Sequence, residues 1–520
     1  MVFAQPAGAQ APAGRPLLWS ARGQPTQEAT ALLEAFGKAA ERGLDPVEYP
    51  AAQLARRLAE THGADADFWA GFDDDLSRAA TRFVTDLHFG RIDPATVGHN
   101  LTVQRAKLDV PSTLARLAAA PDVSVFLDSL EPPFEHFTLL KRELARYRAL
   151  AGVPHLTDLP AFKGKSLKPG NAYAGAVQLQ ALLSAVGDLP AGVQPTADAA
   201  ADGGAALRTL TPALVEALES FQQRHGEKPD GVLGADTFKE LTRPLSSRVR
   251  QIELTMERWR WLPAEFIGAP IIVNIPEFRL FAFDSTTDSE AHIRQMDVIV
   301  GKAFEATQTP VFTADMTYLI FRPYWEVPPS IAKKEIVPGV RRDPDYLDKH
   351  QMELVRGEGE SPTIMPNTRA NIDLLARGVL RVRQKPGPDN SLGLVKFMFP
   401  NRYNVYLHST PARALFGESR RDFSHGCIRV SDPVGLAEYV LRDSPDWTRE
   451  KIEDAMNGTS TVTVTLKNHI RVYIVYGTAL ATEDGKMRFF DDIYGHDQRL
   501  EAALAARRLE MTRGGQLPGL

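Results

Sequence analysis

One cysteine, Cys427, is all that the 520 residues contain. That excludes an internal disulfide, and it excludes a zinc site built from several thiolates. Cysteine avoidance fits an oxidising compartment, where surplus thiols mispair, although cytosolic chains are often cysteine-poor too. Positive charge is not in excess either: 60 Lys and Arg stand against 65 Asp and Glu, for a net charge of −5. A nucleic-acid partner is thereby disfavoured, because phosphate binding draws on clustered basic side chains. No stretch approaches the roughly 20 consecutive apolar residues of a membrane-spanning helix. The opening "MVFAQPAGAQAPAGRP" lacks the charged region and long apolar run of a signal peptide. Residues 1–16 read as the disordered start of a mature exported chain, with a flexible cytosolic start as the alternative.

What is present is an ordinary globular composition, long enough for about three domains with separate cores. Residues 17–162 are helical in pattern. In "TQEATALLEAFGKAAERGLDP" the residues Ala29, Leu32, Leu33, Phe36, Ala39 and Ala40 share one helical stripe, which Gly43 and Pro46 end. "DDLSRAATRFVTDLHFGRIDP" repeats the device, and "FEHFTLLKRELARYRAL" is a third helix. Nothing in this region carries chemistry, so it reads as a scaffold.

Residues 163–247 begin with a Pro/Gly/Lys-rich linker and continue as a compact three-helix unit, in "AVQLQALLSAVGDL", "LTPALVEALESFQQRHG" and "DGVLGADTFKEL". An Ala/Gly/Asp-rich insert, "VQPTADAAADGGAALRT", interrupts it and reads as a mobile loop. From residue 248 to about 450 the pattern turns to strands: "APIIVNIPEFRLFAF", "MDVIVG", "MTYLIFRPYW", "VKFMFP" and "NVYLHS" are rich in β-branched and aromatic residues. A charged, Pro-rich stretch at about 327–394 reads as a non-strand insertion, either a lid or a passive surface loop. Residues 451–520 hold one or two further strands and a closing helix that pack on the catalytic or scaffold part.

The lone thiol sits in "FSHGCIRV". A cysteine becomes a nucleophile as thiolate, which needs a nearby base or cation. Two histidines compete for the role of base: His408, at the end of "NVYLHS", and His425, two residues before Cys427. On an extended strand His425 and Cys427 share a face, unless Gly426 breaks the strand. Gly426 also lets backbone approach a substrate, and the N–H groups of Gly426 and Cys427 are candidate oxyanion donors. A buried structural cysteine and a zinc site from His408, His425 and Cys427 are the rival readings. The zinc spacing matches no standard pattern, and local chemistry does not choose between the histidines.

Two resemblances sharpen this. The three-helix unit is similar to the peptidoglycan-binding domain one family at Leu179, Gln180, Leu182, Gly187, Ala217, Phe221, Gln222, Asp230, Gly231, Gly234, Thr237 and Leu241. "HSTPARALFGESRRDFSHGCIRV" resembles the signature of the L,D-transpeptidase, or YkuD-like, catalytic family. "MERWRWLP", "YWEVPPSIAKKEI" and "RQKPGPDNSLGLVKFMFPN" look like its YcbB-type branch, which joins a helical scaffold, a peptidoglycan-binding module and a capped catalytic domain. The resemblance implies an α+β multidomain protein with a β-rich YkuD-like domain. It implies Cys427 as nucleophile and His408 as general base, with Ser424, His425, Gly426, Arg429, Tyr406 and Ser409 about the pocket and neither metal nor cofactor.

The implied reaction is a cysteine acyl transfer on peptidoglycan stem peptides, typically making 3-3 cross-links, in the periplasm of a Gram-negative bacterium. Cell-wall synthesis proteins are the further partners it suggests, and carbapenems the inhibitors. Water in place of the amine acceptor gives an L,D-carboxypeptidase or endopeptidase, and another amine gives an exchange enzyme. A non-catalytic cell-wall-binding protein is the alternative of a different class.

Overall fold

In a computed structural model the described residues are 17–60, 65–101, 107–189, 209–266, 268–285, 293–357, 359 and 362–513. The start at 1–16 and nearly all of the Ala/Gly/Asp-rich insert lie outside them. The fold is mixed α+β, with several cores.

The N-terminal helices form where caps and apolar stripes coincide. Thr26 caps Gln27–Gly37 by accepting from the Ala29 N–H, and Asp65 caps Ala66–Phe89 through the Phe68 N–H. Their buried faces, with Leu32, Phe36, Phe72, Leu76 and Phe83, build one core. The first helix stops at Gly37, short of the expected Gly43, and a 3-10 turn over Ala39–Arg42 carries the chain to Gly43 instead.

The three-helix unit comprises Ala176–Ala185, Pro212–Arg224 and Ala235–Leu241. Gln222 explains its spaced motif. Its buried amide donates to the Val232 carbonyl (3.0 Å), the Thr237 hydroxyl (3.2 Å) and Asp230 (3.3 Å), and accepts from the Asp230 and Gly231 N–H groups. One side chain thus satisfies a loop that has no ladder of its own.

The β-rich part is a closed ring of eight strands: β1 (Ile271–Asn274), β2 (Arg279–Ala282), β3 (Arg294–Gly301), β4 (Val311–Phe321), β5 (Val395–Met398), β6 (Leu407–His408), β7 (Ile428–Val430) and β8 (Val462–Val475). Around the ring the order is β5, β6, β7, β3, β2, β1, β8, β4 and back to β5. Alternate residues point in, so Val273, Leu280, Val298, Phe397, Leu407 and Ile428 share one interior core. The long strand expected among residues 451–520 as a packed-on element is β8, an integral stave that pairs with both β1 and β4. Its partners are far away in sequence, so no local pattern announced this.

The 327–394 insertion is not a strandless loop. Trp325–Glu326, Arg381–Gln384, Met352–Arg356 and Thr363–Met365 form a four-stranded antiparallel sheet. Helical turns over Pro329–Arg342 and the helix Arg369–Ala376 pack on it around Ile336, Val340, Leu354, Leu375 and Val382. Its strands are short, and all but Thr363–Met365 carry charged residues, which hid them from a search for β-branched runs. The first and last of these strands pair as a neck joining the insertion to the ring.

Candidate active site

Three staves place the chemistry. Because Phe397, Leu407 and Ile428 point into the barrel, the residues beside them, Lys396, Tyr406, His408, Cys427 and Arg429, point out. The register sets Lys396 opposite His408 and His408 opposite Arg429. One residue earlier Tyr406 lies beside Cys427, and the Tyr406 carbonyl accepts from the Ile428 N–H at 3.1 Å. One outer face of the ring therefore gathers a thiol, a phenol, an imidazole and two cations.

Cys427 is half-buried. Its thiol hydrogen-bonds with the Tyr406 side chain, and Sγ lies 3.7 Å from the Asn404 carbonyl. Burial pushes the thiol up from its ordinary value. The Tyr406 contacts and the charges of Lys396 and Arg429 oppose that rise. Burial also pushes the Tyr406 hydroxyl up, so it stays a proton donor. His408 is buried, and Nδ1 lies 2.5 Å from the Ser409 carbonyl. A carbonyl only accepts, so Nδ1 carries the proton and Nε2 keeps its lone pair. Burial first, and then the Arg429 and Lys396 charges, hold His408 down to about 3, with backbone hydrogen bonds to Ser409 and Leu392 pulling the other way. At neutral pH the pair rests as a neutral thiol and a neutral imidazole.

The motif loop is anchored on both sides. The Ser424 hydroxyl donates to the Cys427 carbonyl (2.5 Å) and accepts from the Gly426 N–H (3.1 Å). The Gly426 carbonyl accepts from the Thr309 hydroxyl at 2.8 Å. Gly426 has φ of +116°, which only glycine adopts without strain.

The Gly426 N–H is thus already held by the Ser424 hydroxyl. The positive φ at Gly426 breaks the strand, so His425 does not share the face of Cys427. His425 Nε2 instead meets Glu335 Oε1 of the insertion at 3.0 Å. His408 and Cys427 share the outward face and His425 does not. Among the described residues no three His, Cys, Asp or Glu side chains are grouped to hold a metal.

Arg429 is half-buried, and its Nε is buried without a hydrogen-bond partner among the described residues. Lys396 was not anticipated. Its Nζ sits 4.2 Å from the centre of the Tyr406 ring, and burial lowers it while the nearby thiol raises it. The alternation in "VKFMFP" does place Lys396 outward, but only the ring shows which neighbours it meets. Asn404 and Glu335 lie in the quoted stretches "NVYLHS" and "YWEVPPSIAKKEI", where nothing singled them out from their neighbours.

Comparison with known proteins gives a match for each of three segments. Residues 269–464 match the L,D-transpeptidase catalytic domain, residues 11–144 a scaffold domain, and residues 174–241 a peptidoglycan-binding domain. Residues 269–464 are thus similar to L,D-transpeptidase catalytic domains. A Haemophilus influenzae protein described as an L,D-transpeptidase is 29% identical over 258 residues, which is 50% of this chain and 50% of that protein. The match thus spans about half the length of the curated relative. The matched segment 269–464 contains every residue of the outer-face cluster and the whole insertion. No helix among the described residues is long and apolar enough to cross a membrane.

Proposed function

We propose that the protein is an L,D-transpeptidase that cross-links peptidoglycan through a thioester on Cys427. The observation that carries this reading is the shared outward face of Cys427 and His408, with the imidazole locked by the Ser409 carbonyl so that Nε2 is the acceptor. His408 Nε2 takes the thiol proton as sulfur attacks the carbonyl carbon of the third stem residue, at its L-centre. The Cys427 N–H holds the developing oxyanion, and Tyr406 donates to the sulfur until it is consumed. The C–N bond to the terminal D-Ala breaks, and that amine leaves with the proton from His408. A diamino-acid side-chain amine of a second stem then attacks the thioester. A C–N bond forms, the C–S bond breaks, and the proton passes through His408 to the sulfur.

Lys396 and Arg429 suit the carboxylates of the donor peptide. The peptidoglycan-binding domain keeps the catalytic domain on its polymer, which puts the protein outside the cytoplasm, in a periplasm. The insertion is a cap over the thioester. The domain division that goes with this reading is scaffold, binding module, and capped barrel including β8.

The test is incubation with purified tetrapeptide muropeptides, followed by mass spectrometry of protein and products. A Cys427 adduct of donor minus D-Ala, together with a cross-linked dimer, is expected. Cys427→Ala keeps the fold and gives neither. Tripeptide as the sole product would make the protein a carboxypeptidase, and turnover by Cys427→Ala would remove the thiol from the mechanism.

A further inference from the structure

The outer face beside the thiol is cationic. Lys396 and Arg429 both act on Cys427, which suits a thiolate and the carboxylates of a donor peptide. It does not suit the second substrate of the proposed transfer. A side-chain amine has a pKa of about 10.4 and arrives as an ammonium. Two fixed cations repel it from the carbonyl it must reach.

One carboxylate stands where it would offset that repulsion. Glu335 Oε1 lies 3.0 Å from His425 Nε2, two residues ahead of Cys427, and both side chains are part-exposed. Glu326, a second carboxylate on the neck, acts on Lys396 and is itself held by Arg381 at 2.6 Å. Glu335 sits in a π-turn, Ala332–Ile336, in which the Val337 N–H reaches back five residues to the Ala332 carbonyl. Pro338 follows and has no N–H to return to the preceding turn, so the widened turn has a local cause. Such widened turns recur at functional sites. A half-exposed contact of this kind contributes little to stability. Its imidazole partner is a weaker match for a carboxylate than an ammonium is.

We propose that Glu335 selects the acceptor: it exchanges His425 for the acceptor ammonium and holds that group beside the Cys427 thioester. This rests on the transferase reading above. Of the three protons on the ammonium, one stays in the new amide, one reaches the Cys427 sulfur through His408, and one goes to solvent. The new C–N bond replaces the C–S bond. Glu335 acts by placing the cation and is not consumed.

The test uses the full chain preloaded with tetrapeptide donor and two nucleophiles. One is a stem peptide with a diamino-acid side chain, cationic at neutral pH. The other is hydroxylamine, uncharged at neutral pH. In Glu335→Gln the KM for the stem-peptide acceptor should rise about tenfold at low salt, with kcat falling far less, and Glu335→Asp should recover most of the loss. Release by hydroxylamine should not change. A common change for both nucleophiles would mean that Glu335 only latches the cap, and would overturn the proposal. So would an unchanged acceptor KM. If the wild-type chain forms no donor adduct on Cys427, the transferase reading falls and this proposal falls with it. An adduct with an unaltered KM in Glu335→Gln sinks this proposal alone.

Discussion

At the scale of single residues, the site is a contest between burial and charge over one thiol. Burial raises Cys427, while Tyr406, Lys396 and Arg429 pull it down. Removing Lys396 removes one of the opposing forces. Lys396→Met should therefore move the pH–rate profile for acylation about one unit towards alkali, an ordinary size for losing a neighbouring charge. At pH 7.5 that is about a tenfold loss. Lys396→Arg should keep the profile near wild type, because the charge remains. Acylation followed by mass across pH 6–10 reads this directly, and an unshifted profile in the Met variant would separate Lys396 from the thiol. His408 was singled out as a candidate by its motif, whereas its tautomer was not legible, because that depends on how the chain turns at Ser409.

At the scale of elements, the insertion is a folded unit on a two-strand neck rather than a loop. Trp325 pairs with Gln384 and Glu326 with Arg383, so residues between the neck strands can be replaced by a short linker without opening the ring. A cap that excludes water should favour the amine over hydrolysis. Replacing residues 329–380 with a short linker should raise the ratio of tripeptide to cross-linked dimer several-fold, while Cys427 still acylates. Product ratios by chromatography check this, and an unchanged ratio with normal acylation would show that the cap does not gate the thioester. The sequence showed that something was inserted, through its length and prolines. It did not show four short strands, three of them carrying charged residues, since an exposed strand face carries the same side chains as a loop.

At the scale of the molecule, buried charge ties the scaffold to the catalytic half. Glu257, wholly buried on helix Leu245–Trp259, pairs with Arg91 at 3.1 Å and accepts from the backbone N–H groups of Arg91 and Ile92. Arg91 also meets Glu48, and Arg507 of the C-terminal helix meets Glu48 and Asp86. Glu257→Ala leaves buried arginine and amide donors uncompensated, and should lower stability by about 3–5 kcal/mol, read as a fall in the urea midpoint.

Acid should act on the whole fold as well. His99 and His496 face each other at 2.6 Å between scaffold and C-terminal helix. Burial lowers both, His496 to about 3, as it does His408. Folded, these imidazoles stay neutral; unfolded, they take protons below pH 6.5. Stability is therefore full above about pH 6.5 and falls as pH drops towards 3, by up to about 2 kcal/mol per histidine at pH 5. Urea unfolding at pH 7 and pH 5 measures the slope, and equal midpoints would show that these histidines are not held neutral.

The sequence by itself determined the order of the parts and singled out one cysteine as the candidate nucleophile. These are local properties: helical stripes with caps, a glycine-punctuated binding motif, and one cysteine in a dense signature. Only the tertiary structure decided that β8 is a stave of the barrel, that Ser424 occupies the Gly426 N–H, that His425 faces Glu335, and that Lys396 acts on the thiol from two strands away. Each of these joins residues far apart in the chain or depends on one backbone angle, and a pattern of neighbours along the chain holds no information about either.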